Sequence, residues 1–316
     1  MRERRMAGAL LFSSRLDDPV AWSAALSVLM PELDIRVSPE LGDPAGIETA
    51  LVWKPPPGEM AALPNLKLIV NLGAGVDPLL ADPTVPPHIP VARLGDAPMA
   101  QMMSQFVTFA VLRHHRDIAM YDRQQRVRHW RYELPVPSYE RRVGIMGLGL
   151  LGGAAARMLA GMGFTVAGWA RSPHDIPGVE CFYGAAGFGD FLARTDILVV
   201  LLPLTPQTRH IVGRDALYRL PRGASVVNCG RGGTVNEDAL LAALRDGHIS
   251  EATLDVFETE PLPADHPFWA MDNVLVLPHT ASIAIPEISA RDVVENIRRV
   301  RAGEPFLNVV DRAKGY

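Results

Sequence analysis

Short apolar runs alternate with turn-forming residues along the first hundred positions. Ala9–Phe12 (ALLF), Ile35–Val37 (IRV), Ala50–Trp53 (ALVW) and Leu66–Leu72 (LKLIVNL) read as short strands buried on both faces. Helical patterns or Pro/Gly turns separate them, and Pro55-Pro56-Pro57 marks a rigid loop after a strand end. Met99 to Arg126 lacks Pro and Gly and is rich in Met, Gln and apolar residues, which predicts one long helix. Arg131–Glu140 (RYELPVPSYE) is a Pro-broken arm. A second series follows: strand RRVGIM, a glycine turn, a helix over Gly153–Met162, then strands FTVAGWA, DILVVLLP, ASVVNCG, TLDVF and NVLVLPH. A final helix runs from Ile285 to about Ala302.

This alternation predicts an α/β protein with two Rossmann-like, doubly wound parallel-sheet domains. With 316 residues the chain is long for one core and comfortable for two. The final helix is placed back on the first domain, which makes that domain discontinuous: residues 1–98 and 285–316, with 99–284 forming the second. The composition, 48% hydrophobic and 21% charged, is that of a globular enzyme. A net charge of −4 gives no electrostatic reason for a nucleic-acid or anionic-membrane partner. Two cysteines, Cys181 and Cys229, make no disulfide framework, and a cytoplasmic setting is expected. Met1–Arg5 reads as a loose basic extension ahead of the first strand rather than a signal peptide. No Cys/His spacing suggests a metal.

The turn Gly147–Gly152 (GLGLLG) follows an apolar strand and opens a helix, the context that gives a G-x-G-x-x-G pattern its meaning. Gly147 permits the tight turn, Gly149 lets a pyrophosphate approach the backbone, and Gly152 lets helix pack on strand. The helix N-terminus adds free amides and partial positive charge. About 20 residues further on, an NAD site places an acid on the ribose hydroxyls. Here that position reads Trp169-Ala170-Arg171-Ser172. Arg171 and Ser172 suit a 2′-phosphate instead, through a charged fork and hydroxyl or amide donors, so NADPH is expected in preference to NADH.

Three further side chains fall at or just past strand ends: Arg231 after ASVVNCG, Glu260 after LDVF, and His279 closing NVLVLPH. Ligands of open α/β sheets bind at such carboxyl ends. A 2-oxo acid carries a carboxylate and a ketone. Arg231 can clamp the first and polarise the second. His279 can protonate the ketone oxygen as hydride adds. Glu260, on the far ring nitrogen, would orient the imidazole and favour its charged form. Asp255 is placed by sequence to meet a nicotinamide carboxamide. Taken singly each has a bland reading as a surface or turn residue; behind a dinucleotide turn they point to one cleft.

Together these features resemble the D-isomer-specific 2-hydroxyacid dehydrogenases, across nearly the whole chain. The landmarks are the glycine turn, Asn228–Gly232 (N-x-x-R-G), Glu260–Pro263 (EPLP) and Pro278–Ala281 (PHTA). LVWKPP, LGAGVD, the QQ…HW run from Gln124 to Trp130, WARS and the terminal DRAKGY narrow the likeness to the bacterial glyoxylate/hydroxypyruvate reductases within that family. The resemblance implies NADPH-dependent reduction of glyoxylate to glycolate and of hydroxypyruvate to D-glycerate. It implies Arg231, Glu260 and His279 as catalytic residues, and a homodimer joined through the nucleotide domains. It extends the cofactor set to Leu150, Leu151, Leu202, Pro203, Cys229 and Gly230, beside Arg231, Asp255 and His279. It implies that Gly73, Ala74, Gly75 and Val76 offer amides to the substrate carboxylate, that Trp53 walls a small pocket, and that Trp130 reaches toward the partner's site. Cys229-Gly230 depart from the apolar-or-small residue followed by Ala that relatives often show.

Two alternatives share the fold: a dehydrogenase of another 2-hydroxy acid, and a non-enzymatic NAD(P)-sensing corepressor. A phosphorylated substrate would want extra basic residues near LGAGVD, where the sequence offers only Lys54 and Lys67. The stretch Arg113–Arg131, basic with interleaved aromatics, reads as a solvated, dimer-facing helix and arm rather than a nucleic-acid face.

Overall fold

The computed structural model describes residues 8–94 and 97–315. The expected extension Met1–Arg5 lies outside them. The chain divides into two compact units, Met1–Pro98 with Ile283–Tyr316, and Met99–Ser282.

The first unit runs β1 (Ala9–Ser14), α1 (Pro19–Leu29), β2 (Ile35–Val37), β3 (Ile47–Trp53), β4 (Leu68–Asn71), α2 (Asp77–Leu80) and β5 (Val91–Arg93). These strands form one parallel sheet in the order β2-β1-β3-β4-β5. Asp18 caps α1, its carboxylate accepting from Val20 N at 2.9 Å, with Pro19 at the first helical position. Strand residues Leu11, Ala50, Val52, Ile69 and Val91 join Met60, Leu63 and Leu79 in one core. The C-terminal helix Pro286–Ala302 belongs to this unit and packs on α1. It buries Ala290, Val293, Val294 and Ile297, the i, i+3, i+4, i+7 stripe of an amphipathic helix. Ala97–Pro98, the start of α3 (Ala97–His115), also falls within it.

The second unit continues with α4 (Ile118–Arg126), β6 (Arg142–Met146), α5 (Leu150–Gly161), β7 (Thr165–Ala170), β8 (Val179–Tyr183), α6 (Gly184–Ala193), β9 (Ile197–Val200), α7 (Arg214–Arg219), β10 (Ala224–Asn228), α8 (Glu237–Arg245), β11 (Ile249–Leu254) and β12 (Val274–Val276). Its seven strands are parallel, in the order β12-β11-β10-β9-β6-β7-β8. The order reverses at the β9/β6 junction, the switch point where open sheets bind ligands. Strand residues alternate between two cores, one on each face: Ile197 and Val199 join Val143, Ala155 and Leu159, while Leu198 and Val200 join Phe191, Leu217 and Leu240. Among the described residues no helix is long and apolar enough to cross a membrane.

Three details differ from the sequence reading. The single helix expected over Met99–Arg126 is two, α3 and α4, because Asp117 turns left-handed at φ +53°. Strands β5 and β8 were absent from the reading. The first has three residues, and the second is a half-exposed edge strand without a continuous apolar run.

At the switch point Arg142 pins β6 to the start of β9. Asp196 accepts from Arg142 N and Nε at 3.0 Å each and from Nη2 at 2.5 Å. Burial acts to raise the Asp196 pKa, and these bonds and the arginine charges outweigh it, leaving the carboxyl below its ordinary value. A carboxyl depressed in the folded state contributes stability above its unfolded value, near ~3.9, and loses it as pH falls through the folded value. Asp196→Asn is expected to lower unfolding free energy by about 1–3 kcal/mol at pH 7. In urea denaturation the gap between parent and variant is expected to narrow below pH ~4; an undiminished gap there would contradict the assignment.

Candidate active site

In the second unit the polar residues gather at the carboxyl ends of neighbouring strands. Past β12, the His279 amide donates to Asp255 O at 2.8 Å, and the residue sits at φ +58°, left-handed and unusual for a side chain with Cβ. Asp255, just past β11, is fully buried. Its two carboxylate oxygens accept from Thr280 N at 2.8 Å and Ala281 N at 3.0 Å. Asp255 thereby fixes the turn that carries His279.

The half-buried imidazole meets Glu260, with Nδ1 3.1 Å and 3.0 Å from the two carboxylate oxygens. A carboxylate only accepts, so Nδ1 carries a proton and Nε2 is the ring atom left to exchange one. Glu260 is itself held, accepting from Phe257 N at 3.2 Å.

Arg231 follows β10, the strand beside β11. Its carbonyl accepts from Asn228 Nδ2 at 3.2 Å and Thr234 Oγ1 at 2.6 Å, and its Nη1 donates to Gly230 O at 2.8 Å. Gly232 must be glycine: a Cβ there would lie 1.9 Å from the Phe257 carbonyl carbon. That contact seats the segment leading to Glu260 directly on the arginine turn. The same segment is tied to α8, where Glu237 accepts from Glu258 N at 2.8 Å. Burial raises the Glu237 carboxyl above its ordinary value, against the lowering effect of that bond. Gly230 also has a steric reason here, since a Cβ would lie 2.9 Å from Leu202 O. Cys229 is buried, and burial, with the Asp255 charge beside it, pushes its thiol far above the ordinary range. Its amide donates to Val200 O at 3.3 Å.

The glycine turn lies past β6, two strands from β10. Gly147 takes φ +97°, and a Cβ on Gly152 would lie 1.8 Å from Gly147 O. Gly149, the N-cap of α5, is different: φ is −67° and nothing lies within 4 Å of a Cβ built there. The fold does not explain this glycine, whereas a ligand's close approach does. Leu150 and Leu151 form the exposed and half-buried first residues of α5, whose leading amides have no intrahelical partner. Leu202 is buried past β9, and Pro203 O accepts from Thr208 Oγ1 at 2.6 Å. Arg171 and Ser172 are exposed past β7. The chain therefore fits a dinucleotide: a glycine cradle, a helix start and a cation on one strand-end edge.

In the first unit, Trp53 ends β3 and its ring lies against Gly73, where a Cβ would meet Cζ3 at 2.5 Å. Lys54 Nζ stands 5.8 Å from the Trp53 ring centroid, a cation–π contact. Asn71, at the end of β4, and Arg93, at the end of β5, both bond the loop Gly73–Val76. Neither was found by sequence reasoning, nor were Asn228 and Thr234. The N-x-x-R-G pattern contains Asn228, but its role as carbonyl donor needed coordinates. Arg93 lies far from LGAGVD in sequence, and only the β4–β5 pairing brings it there.

Residues 108–281 match the family described as D-isomer specific 2-hydroxyacid dehydrogenase, NAD binding domain. The chain is 38% identical over 300 residues to glyoxylate/hydroxypyruvate reductase A of Yersinia enterocolitica, covering 93% of this chain and 96% of the relative. It resembles a solved D-isomer specific 2-hydroxyacid dehydrogenase of Xanthobacter autotrophicus Py2 in complex with NADPH and MES. That likeness has a TM-score of 0.94 and 54% identity, over 98% of this chain and 100% of the other. It also resembles the NADPH-dependent glyoxylate/hydroxypyruvate reductase of Sinorhizobium meliloti in complex with NADP and sulfate, with a TM-score of 0.92 and 37% identity, over 98% and 100%.

The two glycines are expected to separate fold from binding. Gly149→Ala should leave the melting temperature unchanged and weaken dinucleotide binding about tenfold or more in titration calorimetry. Gly152→Ala should lower both. Full affinity in Gly149→Ala would remove that residue from the site.

Proposed function

The chain belongs to the family of D-isomer specific 2-hydroxyacid dehydrogenases, and we propose that it reduces small 2-oxo acids, glyoxylate to glycolate and hydroxypyruvate to D-glycerate, with NADPH. The observation that carries the reading is the Glu260–His279 pair at one strand end, with Arg231 locked at the end of the next strand but one. The reductase names and the NADPH or NADP complexes of its relatives support it.

In this reading Gly147, Gly149 and Gly152, with the first amides of α5, hold the pyrophosphate, and Arg171 and Ser172 receive the 2′-phosphate. When bound, the reduced nicotinamide supplies the hydride. Arg231 clamps the substrate and stabilises charge growing on the ketone oxygen. His279 delivers the proton from Nε2, because Glu260 holds Nδ1. Loop Gly73–Val76 receives the substrate carboxylate and Trp53 limits substrate size. The second unit is thus the dinucleotide domain and the first the substrate domain.

A homodimer is part of the same proposal. The segment after α4 exposes Val127, Trp130, Tyr132 and Leu134, with Trp130 98% exposed, an apolar arm suited to a second copy. Light scattering is expected to give twice the 34.4 kDa chain mass; a monomer at micromolar concentration would contradict it.

Steady-state kinetics test the roles. Arg231→Ala is expected to cost kcat/KM about 2.7–4 kcal/mol. His279→Ala should lose kcat with NADPH binding largely intact, and parental turnover in that variant would overturn its role. Arg171→Ala should erode the preference for NADPH over NADH; a parent using both equally would defeat the 2′-phosphate assignment.

A further inference from the structure

We propose that Asn71 and Arg93 are positioning residues for the carboxylate-binding loop Gly73–Val76. The inference rests on the reading of the chain as a 2-oxo acid reductase and names what holds that subsite in shape.

Three successive carbonyls of the loop accept from these two side chains. Asn71 Nδ2 donates to Gly73 O at 2.8 Å and to Gly75 O at 3.1 Å, which occupies both of its N–H groups. Arg93 Nη1 donates to Ala74 O at 3.2 Å. A peptide unit is planar and trans, so its C=O and the following N–H point in opposite directions. Fixing the oxygens of Gly73, Ala74 and Gly75 therefore fixes the amides of Ala74, Gly75 and Val76. Among the described residues none of those three amides has an acceptor. A run of adjacent backbone donors held in place is the kind of anion site that suits a carboxylate.

The surroundings make the arrangement stiff. Asn71 is 2% exposed and lies in the sheet, its carbonyl accepting from Leu94 N at 3.0 Å. Arg93 stands opposite it on β5, paired in register. Its own amide donates to Asn308 O at 3.1 Å, so the backbone bearing the guanidinium is anchored from the C-terminal segment. The Trp53 ring against Gly73 blocks one way the loop could relax. Arg93 also supplies a positive charge beside an anion subsite, which neither Lys54 nor Lys67 does in the same way. Lys67 is paired with Glu48 at 2.7 Å, and Lys54 contacts the Trp53 ring.

The test compares Asn71→Ala, Arg93→Met and Arg93→Lys with the parent, varying glyoxylate at saturating NADPH. Lost orientation of the amides should appear as ground-state binding. KM for glyoxylate is expected to rise about tenfold in Asn71→Ala and Arg93→Met, with kcat changing less than KM and the NADPH KM steady. Arg93→Lys, which keeps the charge and a donor nitrogen without the planar fork, should recover part of the loss. A merely structural role would instead lower the melting temperature and kcat together and leave KM for glyoxylate within about twofold; that result overturns the proposal. Should Asn71→Ala fail to fold, the arginine pair decides. A parent that does not reduce glyoxylate sinks the functional reading instead. Thermal shifts of the same proteins with oxalate then still read the loop: a shift in the parent that vanishes in Arg93→Met supports the proposal, and equal shifts in both contradict it.

Discussion

A carboxylate buried among backbone amides decides where the imidazole stands. Asp255 has no solvent exposure, and its two oxygens accept from Thr280 and Ala281 while its carbonyl takes the His279 amide. His279 at φ +58° is strained by an amount on the order of 1–3 kcal/mol, tolerable only where surrounding bonds over-determine it. Those three bonds do so. They convert the end of β12 into a fixed platform, from which Nδ1 reaches Glu260. Without Asp255 the chain after Pro278 has no reason to hold this turn.

The remaining polar groups of the unit are placed by close backbone contact rather than by side-chain length. Gly232 lets the Phe257–Glu258 segment cross the arginine turn, Gly230 lets the Leu201–Leu202 backbone press on it, and Gly152 lets α5 close on Gly147. Each glycine is a contact in which a methyl group would occupy another residue's backbone. Gly149 alone among these turns stands in open space. The difference separates glycines that build the scaffold from one that leaves room for something else. The first unit repeats the principle with different parts. Parallel strands end at Trp53, Asn71 and Arg93, and their side chains shape a loop that itself bears no functional side chain.

Much of this was legible in the sequence because it rests on period and local chemistry. Continuous apolar runs betray strands covered on both faces, and the stripe Ala290, Val293, Val294, Ile297 betrays a helix on a core. Glu260 and His279, nineteen positions apart, were paired by chemistry before geometry joined them. What was illegible depends on strand order or on exact backbone direction. Arg93 reaches the Gly73–Val76 loop only because β5 lies beside β4, and a three-residue strand has too little pattern to be seen. The break between α3 and α4 turns on the left-handed state of Asp117, an ordinary helix-surface residue by composition. Asp255 was recognised as important, yet its bonds to two amides follow from the path of the chain after His279, which no spacing reveals.

The central claim is that this strand-end constellation reduces a small, unphosphorylated 2-oxo acid. The most direct test gives the purified chain glyoxylate, hydroxypyruvate and phosphohydroxypyruvate at equal concentration and follows the loss of NADPH absorbance. The account predicts turnover of the first two and little of the third. Faster consumption with phosphohydroxypyruvate, or none with any of the three, would contradict it.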